Sequence, residues 1–262
     1  MSRPVVELAG VVRRAGGRRI VDGVSLALPP GRVVAVVGPN GAGKSSLVGL
    51  ASGHVAPAEG RVLYDGTPVA AWAPWRLAAK RAVMAQTGGT AFSFTVADLA
   101  AIGAAGVGRG LDAGARAALV ATALETADVA HLADRDVTTL SGGERQRARF
   151  AQALAQLAAG RSVEERQVLL LDEPVASLDL RHQIFLLDAA RARADAGVSV
   201  LVVLHDLRLA RAYADEVVVM SAGRIAAAGP PDAVITAPLV ERVFGLAPAA
   251  SRGVLDWLAA DA

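Results

Sequence analysis

Cysteine is missing altogether from these 262 residues, which removes disulfides and thiolate-held metals from consideration. A chain without disulfides fits a protein that is never exported. Aromatic residues are scarce at 4%, and lysine is nearly absent: among 27 Lys and Arg, only Lys44 and Lys80 are lysines. Although 53% of the chain is hydrophobic, alanine supplies much of that. No window holds the unbroken run of about 18 apolar residues that a transmembrane helix needs. The N-terminus, Met1-Ser2-Arg3-Pro4-Val5-Val6-Glu7, carries charge where a signal peptide needs its apolar core. Charge of one sign is lacking too. A net charge of +2 is near balance, and the arginine excess behind a pI of about 9.5 is too small for a nucleic-acid footprint. What remains is a soluble, cytosolic chain, long enough for one large α/β domain or two modest ones.

Against that background one stretch stands out. Gly38-Pro39-Asn40-Gly41-Ala42-Gly43-Lys44-Ser45 follows the apolar run Val33–Val37 and leads into Ser46-Leu47-Val48. A short β-branched run reads as a buried strand, and the residues from Lys44 read as a helix start. Gly-x4-Gly-Lys-Ser between them is a phosphate-cradling loop. Glycines let several N–H groups point into one concavity, where the helix N-terminus adds partial positive charge. Lys44 supplies a full charge for β/γ-phosphates, and the Ser45 hydroxyl can ligate Mg²⁺. Lysine retained in an arginine-using chain suggests a need for a compact point charge rather than a planar fork.

Read in order, 5–9 and 18–28 alternate as half-buried strands around a Gly16-Gly17 turn. The strand 33–37 and helix 44–52 follow, then strand 61–64 with an Asp65-Gly66 turn, a short helix opened by Pro74, and strand 81–84 running into Gln86. Residues 87–94 read as a loop. Helical patterns at about 95–103, 113–127 and 142–158 interrupt a chain that is otherwise β/α, so the segment of about 88–160 reads as an inserted helical subdomain. Strands at 168–171, 198–204, 216–220 and 223–229 then alternate with helices at 180–196 and 206–213, and short helices close the pattern. The tail shows a weak helical pattern around Val254–Leu258. Alternation of this kind predicts a parallel core sheet with ligand at the carboxyl ends of its strands.

Four further stretches narrow the chemistry. Leu171-Asp172-Glu173-Pro174 ends a strand with two carboxylates: Asp172 can hold Mg²⁺ and Glu173 can polarise an attacking water. Leu140-Ser141-Gly142-Gly143-Glu144 opens a helix and makes a second anion site, although Ser-Gly-Gly is also an ordinary capped turn. One chain offers it no second phosphate; a head-to-tail pair of chains does. His205 and Gln86 each follow a strand, where one can contact the γ-phosphate and the other the Mg²⁺ site or the attacking water.

The order Gly38–Ser45, Gln86, Leu140–Glu144, Leu171–Glu173, Asp179 and His205 resembles the ATP-binding subunit of ATP-binding-cassette (ABC) transporters over roughly residues 5–245. The resemblance implies a P-loop NTPase of the ABC ATPase type, α/β, with a mostly parallel core sheet, an antiparallel β part and the inserted helical subdomain. It places residues 1–245 in the ATPase domain and 246–262 in a short tail. ATP and Mg²⁺ are the implied ligands. The loop Gly38, Pro39, Asn40, Gly41, Ala42, Gly43, Lys44, Ser45 and Ser46 would bind phosphate, with Ser45, Gln86 and Asp172 at the metal. Glu173 is then the general base, with His205 and Gln86 beside it. Ser141, Gly142, Gly143 and Glu144 would face the opposite subunit's ATP, and Asp179 would span the dimer interface. Implied partners are a second copy, two transmembrane permease subunits and, indirectly, a solute-binding protein, with no nucleic acid. The chain would sit peripherally on the cytoplasmic face of the inner membrane. One family element departs: the turn near 13–16 reads Arg13-Arg14-Ala15-Gly16, without the usual adenine-stacking ring; a guanidinium plane can stack there instead.

Trp72–Gln86 and Ala91–Val96 look like importers of iron chelates and vitamin B12. The insertion 158–167 and Asp179-Leu180-Arg181-His182-Gln183 look most like bacterial haem (hemin) importers, while a tolerated surface loop would also account for the insertion. Ferric siderophore or vitamin B12 import is the alternative cargo. A soluble cassette ATPase without a membrane partner is the alternative class.

Overall fold

A computed structural model describes residues 3–85, 93–108 and 110–247. In chain order the elements are β1 (Val6–Ala15), β2 (Arg18–Leu28), β3 (Val33–Val37), α1 (Lys44–Ala51), β4 (Glu59–Tyr64), β5 (Thr67–Pro68), α2 (Pro74–Lys80) and β6 (Arg81–Met84). Then come α3 (Val96–Ala105), α4 (Ala113–Thr126), α5 (Gly142–Gly160), β7 (Val168–Asp172), α6 (Leu180–Asp195) and β8 (Ser199–Val203). The series closes with α7 (Leu207–Tyr213), β9 (Glu216–Ser221), β10 (Arg224–Gly229), α8 (Pro231–Val234) and α9 (Ala237–Phe244).

Two sheets form. An antiparallel one runs β2-β1-β4-β5, and a six-stranded one runs β10-β9-β3-β8-β7-β6, parallel except for β10. Its strands β3, β7 and β8 are buried on both faces, as parallel strands are. Side chains alternate between two cores: Val33, Ala35 and Val37 of β3 point to the helical side, while Val34 and Val36 point to the antiparallel sheet and α1. β7 and β8 divide in the same way. Period-2 burial therefore joins three layers through one continuous-looking apolar run.

Each strand and helix expected from the sequence within the described residues is present, most with ends within two residues. β1 runs farther than expected, through register shifts after Leu8, Val11 and Arg13 against β2, because a twisted ladder tolerates the polar residues of its second half. The two-residue β5 and the 3₁₀ turns at Val69–Ala71, Ala130–Leu132 and Val137–Thr139 have no period to detect, and only the structure reveals them. Gln86, the loop 87–92 and the pattern around Val254–Leu258 lie outside the described residues.

Segment 158–167 is not a loose surface loop. Its first three residues finish α5, and both Glu164 and Gln167 are buried. Glu164 pairs with Lys80 at 3.3 Å and with Arg76, while the Gln167 amide donates to the carbonyls of Ala79 at 2.9 Å and Leu157 at 2.8 Å.

Candidate active site

The parallel register brings the site together. Val36 of β3 lies opposite Val203 of β8, and Val203 lies opposite Asp172 of β7. The chain therefore leaves β3, β7 and β8 at one level of the sheet, at carboxyl ends where ligands of such folds collect. There Asn40, Gly41, Gly43, Lys44, Ser45 and Ser46 line a cavity of about 650 Å³ together with Ile20, Glu173 and His205.

The 38–45 loop has the tight curl its glycines imply. Gly38 lies at φ +148°, and a Cβ there would stand 2.2 Å from the Met220 carbonyl oxygen. Gly43 caps α1 at φ +99°, where a Cβ would stand 2.5 Å from the Ile20 carbonyl oxygen. The backbone is thus drawn against β9 and β2 at spacings no side chain permits. Lys44 is buried, and its Nζ donates to the carbonyls of Gly38 at 2.8 Å and Pro39 at 3.1 Å. Burial pushes its ammonium below the usual lysine value, against the opposing pull of Glu173 and Asp172. Ala42 of the loop is buried.

Two carboxylates end β7 with different surroundings. Asp172 is buried and accepts from the Ser45 hydroxyl at 3.1 Å. A hydroxyl and a carboxylate converging beside a phosphate loop suit Mg²⁺, which takes one or two protein oxygens and completes its shell with phosphate and water. Glu173 has φ +52°, a left-handed backbone uncommon outside glycine and a form of strain that gathers at functional sites. Its Oε1 stands 2.6 Å from His205 Nε2, so the expected base and the expected γ-phosphate contact meet each other. Gln146 of α5 donates to the Glu173 carbonyl at 2.8 Å, tying that helix to the strand end.

Ser141, Gly142, Gly143, Glu144 and Asp179 do not line this cavity. Ser141 caps α5 in a reciprocal box: its Oγ accepts from the Glu144 N–H at 3.2 Å, and its own N–H donates to Glu144 Oε2 at 2.8 Å. That backbone bond leads in holding the Glu144 carboxyl below its ordinary range. A Cβ on Gly143 would lie 3.1 Å from the Ser177 carbonyl oxygen, so the loop rests on the segment leading to Asp179. Asp179 caps α6. Sequence reasoning missed Ile20 and Gln146; both sit on regular elements and lack a motif of their own.

A family model described as ABC transporter matches residues 21–176. The chain belongs to the ABC transporter family. Among its relatives in that family, the hemin import ATP-binding protein HmuV of Bradyrhizobium diazoefficiens is 45% identical, covering 92% of this chain and 88% of its own. The protein of the same name from Streptomyces coelicolor is 46% identical over 92% and 83% respectively. Among solved structures, an ABC cassette, MJ1267 in its ADP conformation, has a TM-score of 0.75 at 24% identity, covering 93% of this chain and 99% of that one. The dimeric cassette MJ0796 has a TM-score of 0.76 at 22% identity, covering 86% and 98%. At such identities these structures share the fold.

Proposed function

We propose that the chain is the ATP-hydrolysing, energy-coupling subunit of a haem importer. The observation that carries the ATPase part is the division of the site. A phosphate loop, a metal-suited pair and a carboxylate–imidazole pair meet at one cavity, while Ser141, Gly142, Gly143 and Glu144 are not among the residues that line it. Its backbone amides can complete a nucleotide site only on another copy. Haem as cargo is supported by relatives more than 40% identical that carry the name hemin import ATP-binding protein.

In this reading residues 1–245 form the cassette, with the helical segment 88–160 inserted and 246–262 as its tail. The loop Gly38–Ser46 binds the triphosphate, and Lys44 exchanges its loop carbonyls for the β/γ-phosphates. Ser45 and Asp172, with Gln86, hold Mg²⁺, whose charge offsets that of the phosphates when bound. Glu173 takes the proton of the attacking water, and His205, turning from Glu173, donates to the γ-phosphate. Ser141, Gly142 and Gly143 of each copy close on the other's nucleotide, with Asp179 between them. Two permease subunits convert that closure into transport, with a solute-binding protein delivering cargo outside. Coupling to those permease subunits would hold the chain peripherally on the cytoplasmic face; no described helix is long and apolar enough to cross a membrane.

Uptake of haem, ferric siderophore and vitamin B12 in a deletion strain tests the cargo. Loss of haem uptake alone, restored by the intact chain and not by the Lys44→Ala variant, is the expected result. Loss confined to siderophore or B12 uptake reassigns the cargo, and unchanged uptake of all three removes the importer reading.

A further inference from the structure

Outside the nucleotide cavity, four side chains form a line across α5, α4 and α6. Arg147, buried on the second turn of α5, lies six residues beyond Ser141. Its Nη1 donates to Asp128 Oδ2 at 2.9 Å and also to the Asp128 carbonyl. Asp128 follows α4 with φ +53°, so the backbone itself is held in a left-handed turn that presents this carboxylate. His182, on the first turn of α6, stands between two acids. Its Nδ1 is 2.7 Å from Asp179 Oδ1, and its Nε2 is 3.6 Å from Asp128 Oδ2.

Capping α6 does not need this ring. The His182 backbone N–H already donates to Asp179 Oδ1 at 2.9 Å, and it leads in holding the Asp179 carboxyl below the ordinary range. What the imidazole adds is a reach from that cap to a carboxylate on another element. The segment before Asp179 is stiffened independently: the Gln183 amide donates to the carbonyls of Val175 at 3.4 Å and Leu178 at 2.9 Å. Two stiff pieces, the Ser141-headed helix and the 174–179 loop, are thus joined through the bridge Arg147–Asp128–His182–Asp179.

We infer that His182 is a positioning residue that locks the Ser141 loop and Asp179 into one surface for the second subunit's nucleotide. This rests on the head-to-tail dimer proposed above. If the two pieces move independently, each copy presents them out of step and closure loses turnover, while the phosphate loop of the same copy still binds ATP as before. The bridge should therefore act on kcat and leave KM alone.

A double-mutant cycle in the full chain tests it, using His182→Gln, which retains an amide near Asp179, and Asp128→Asn, which tolerates the left-handed backbone. Each single variant should lower kcat roughly five-fold with KM unchanged, and the pair together should be no worse than the lower single. Multiplying effects, an unchanged kcat, or a raised KM at full kcat would each overturn the inference. Thermal midpoints accompany the kinetics: if the kcat loss of both singles follows a lost midpoint, the role is only structural and the inference fails. ATP-driven dimerisation of Glu173→Gln, with and without His182→Gln, separates the two levels. No dimer in the background with His182 intact sinks the dimer reading and the inference with it. A dimer accompanied by unaffected kcat in His182→Gln sinks the inference alone.

Discussion

Both lysines of this arginine-using chain are buried, and both donate to backbone carbonyls. Lys44 stands in the phosphate loop. Lys80 Nζ donates to the Arg166 carbonyl at 2.8 Å, pairs with Glu164 and Asp65, and lies 5.2 Å from the centre of the Trp72 ring. A compact ammonium with three rotatable donors can serve a carbonyl and two carboxylates at once, whereas a planar fork cannot fold around them. Lys80→Ala should cost about 3 kcal/mol in urea unfolding, because it strips a cation from buried Glu164, and KM for ATP should not change. Lys80→Arg should recover only part of that loss. At Glu173, Glu173→Gln should keep ATP affinity while lowering turnover by a factor on the order of 10² or more, read as steady-state phosphate release. Normal turnover in that variant would remove Glu173 as the base.

At the scale of elements, Asp215 shows how the central strand is fixed. Just before β9, it accepts the Val33 N–H at the start of β3 at 2.8 Å, Arg191 of α6 at 2.7 Å and Arg32 at 3.0 Å. Burial pushes this carboxyl up, but the Val33 N–H and the two guanidiniums outweigh it and hold it below its usual range. A carboxyl lowered by folding adds stability that is complete above its unfolded value, near 4, and is lost as pH falls through the lower folded value. Asp215→Asn should therefore destabilise by about 1–2 kcal/mol at pH 7, and the gap to the parent should narrow below about pH 4. Urea midpoints at pH 7 and pH 3.5 measure it. An equal gap at both would assign the effect to packing instead of charge.

At the scale of the whole molecule, Gly41, Gly43, Lys44, Ser45, Glu173 and His205 of one chain line a single cavity, and Ser141, which caps α5, does not line it. Glu173→Gln with ATP should double the sedimenting mass, and dilution into nucleotide-free buffer should return it to a monomer. A monomer at saturating ATP would mean that the Ser141 cap is structural only. Segment 158–167 buries Glu164 and Gln167. It joins α5 to β7, and Glu164 and Gln167 clamp α2 beside it, so the end of α5 is held firmly against α2.

Much of this was legible in the residues alone. Val33–Val37, Gly38–Ser45, Leu171–Glu173 and Ser141–Glu144 announce their elements through local period, turn residues and caps, because each is decided by neighbours in the chain. The helices α3, α4 and α5 were visible for the same reason. The tertiary structure decided what depends on partners far away in sequence. The strand order β9-β3-β8-β7 sets Glu173 against His205, 32 positions later, at 2.6 Å. Packing gave Glu173 its left-handed backbone, buried Lys80 with Glu164, and carried Arg147 through Asp128 to His182. Periodicity encodes which face is apolar, whereas register between distant strands and the direction of a polar side chain are set only when the layers close on one another.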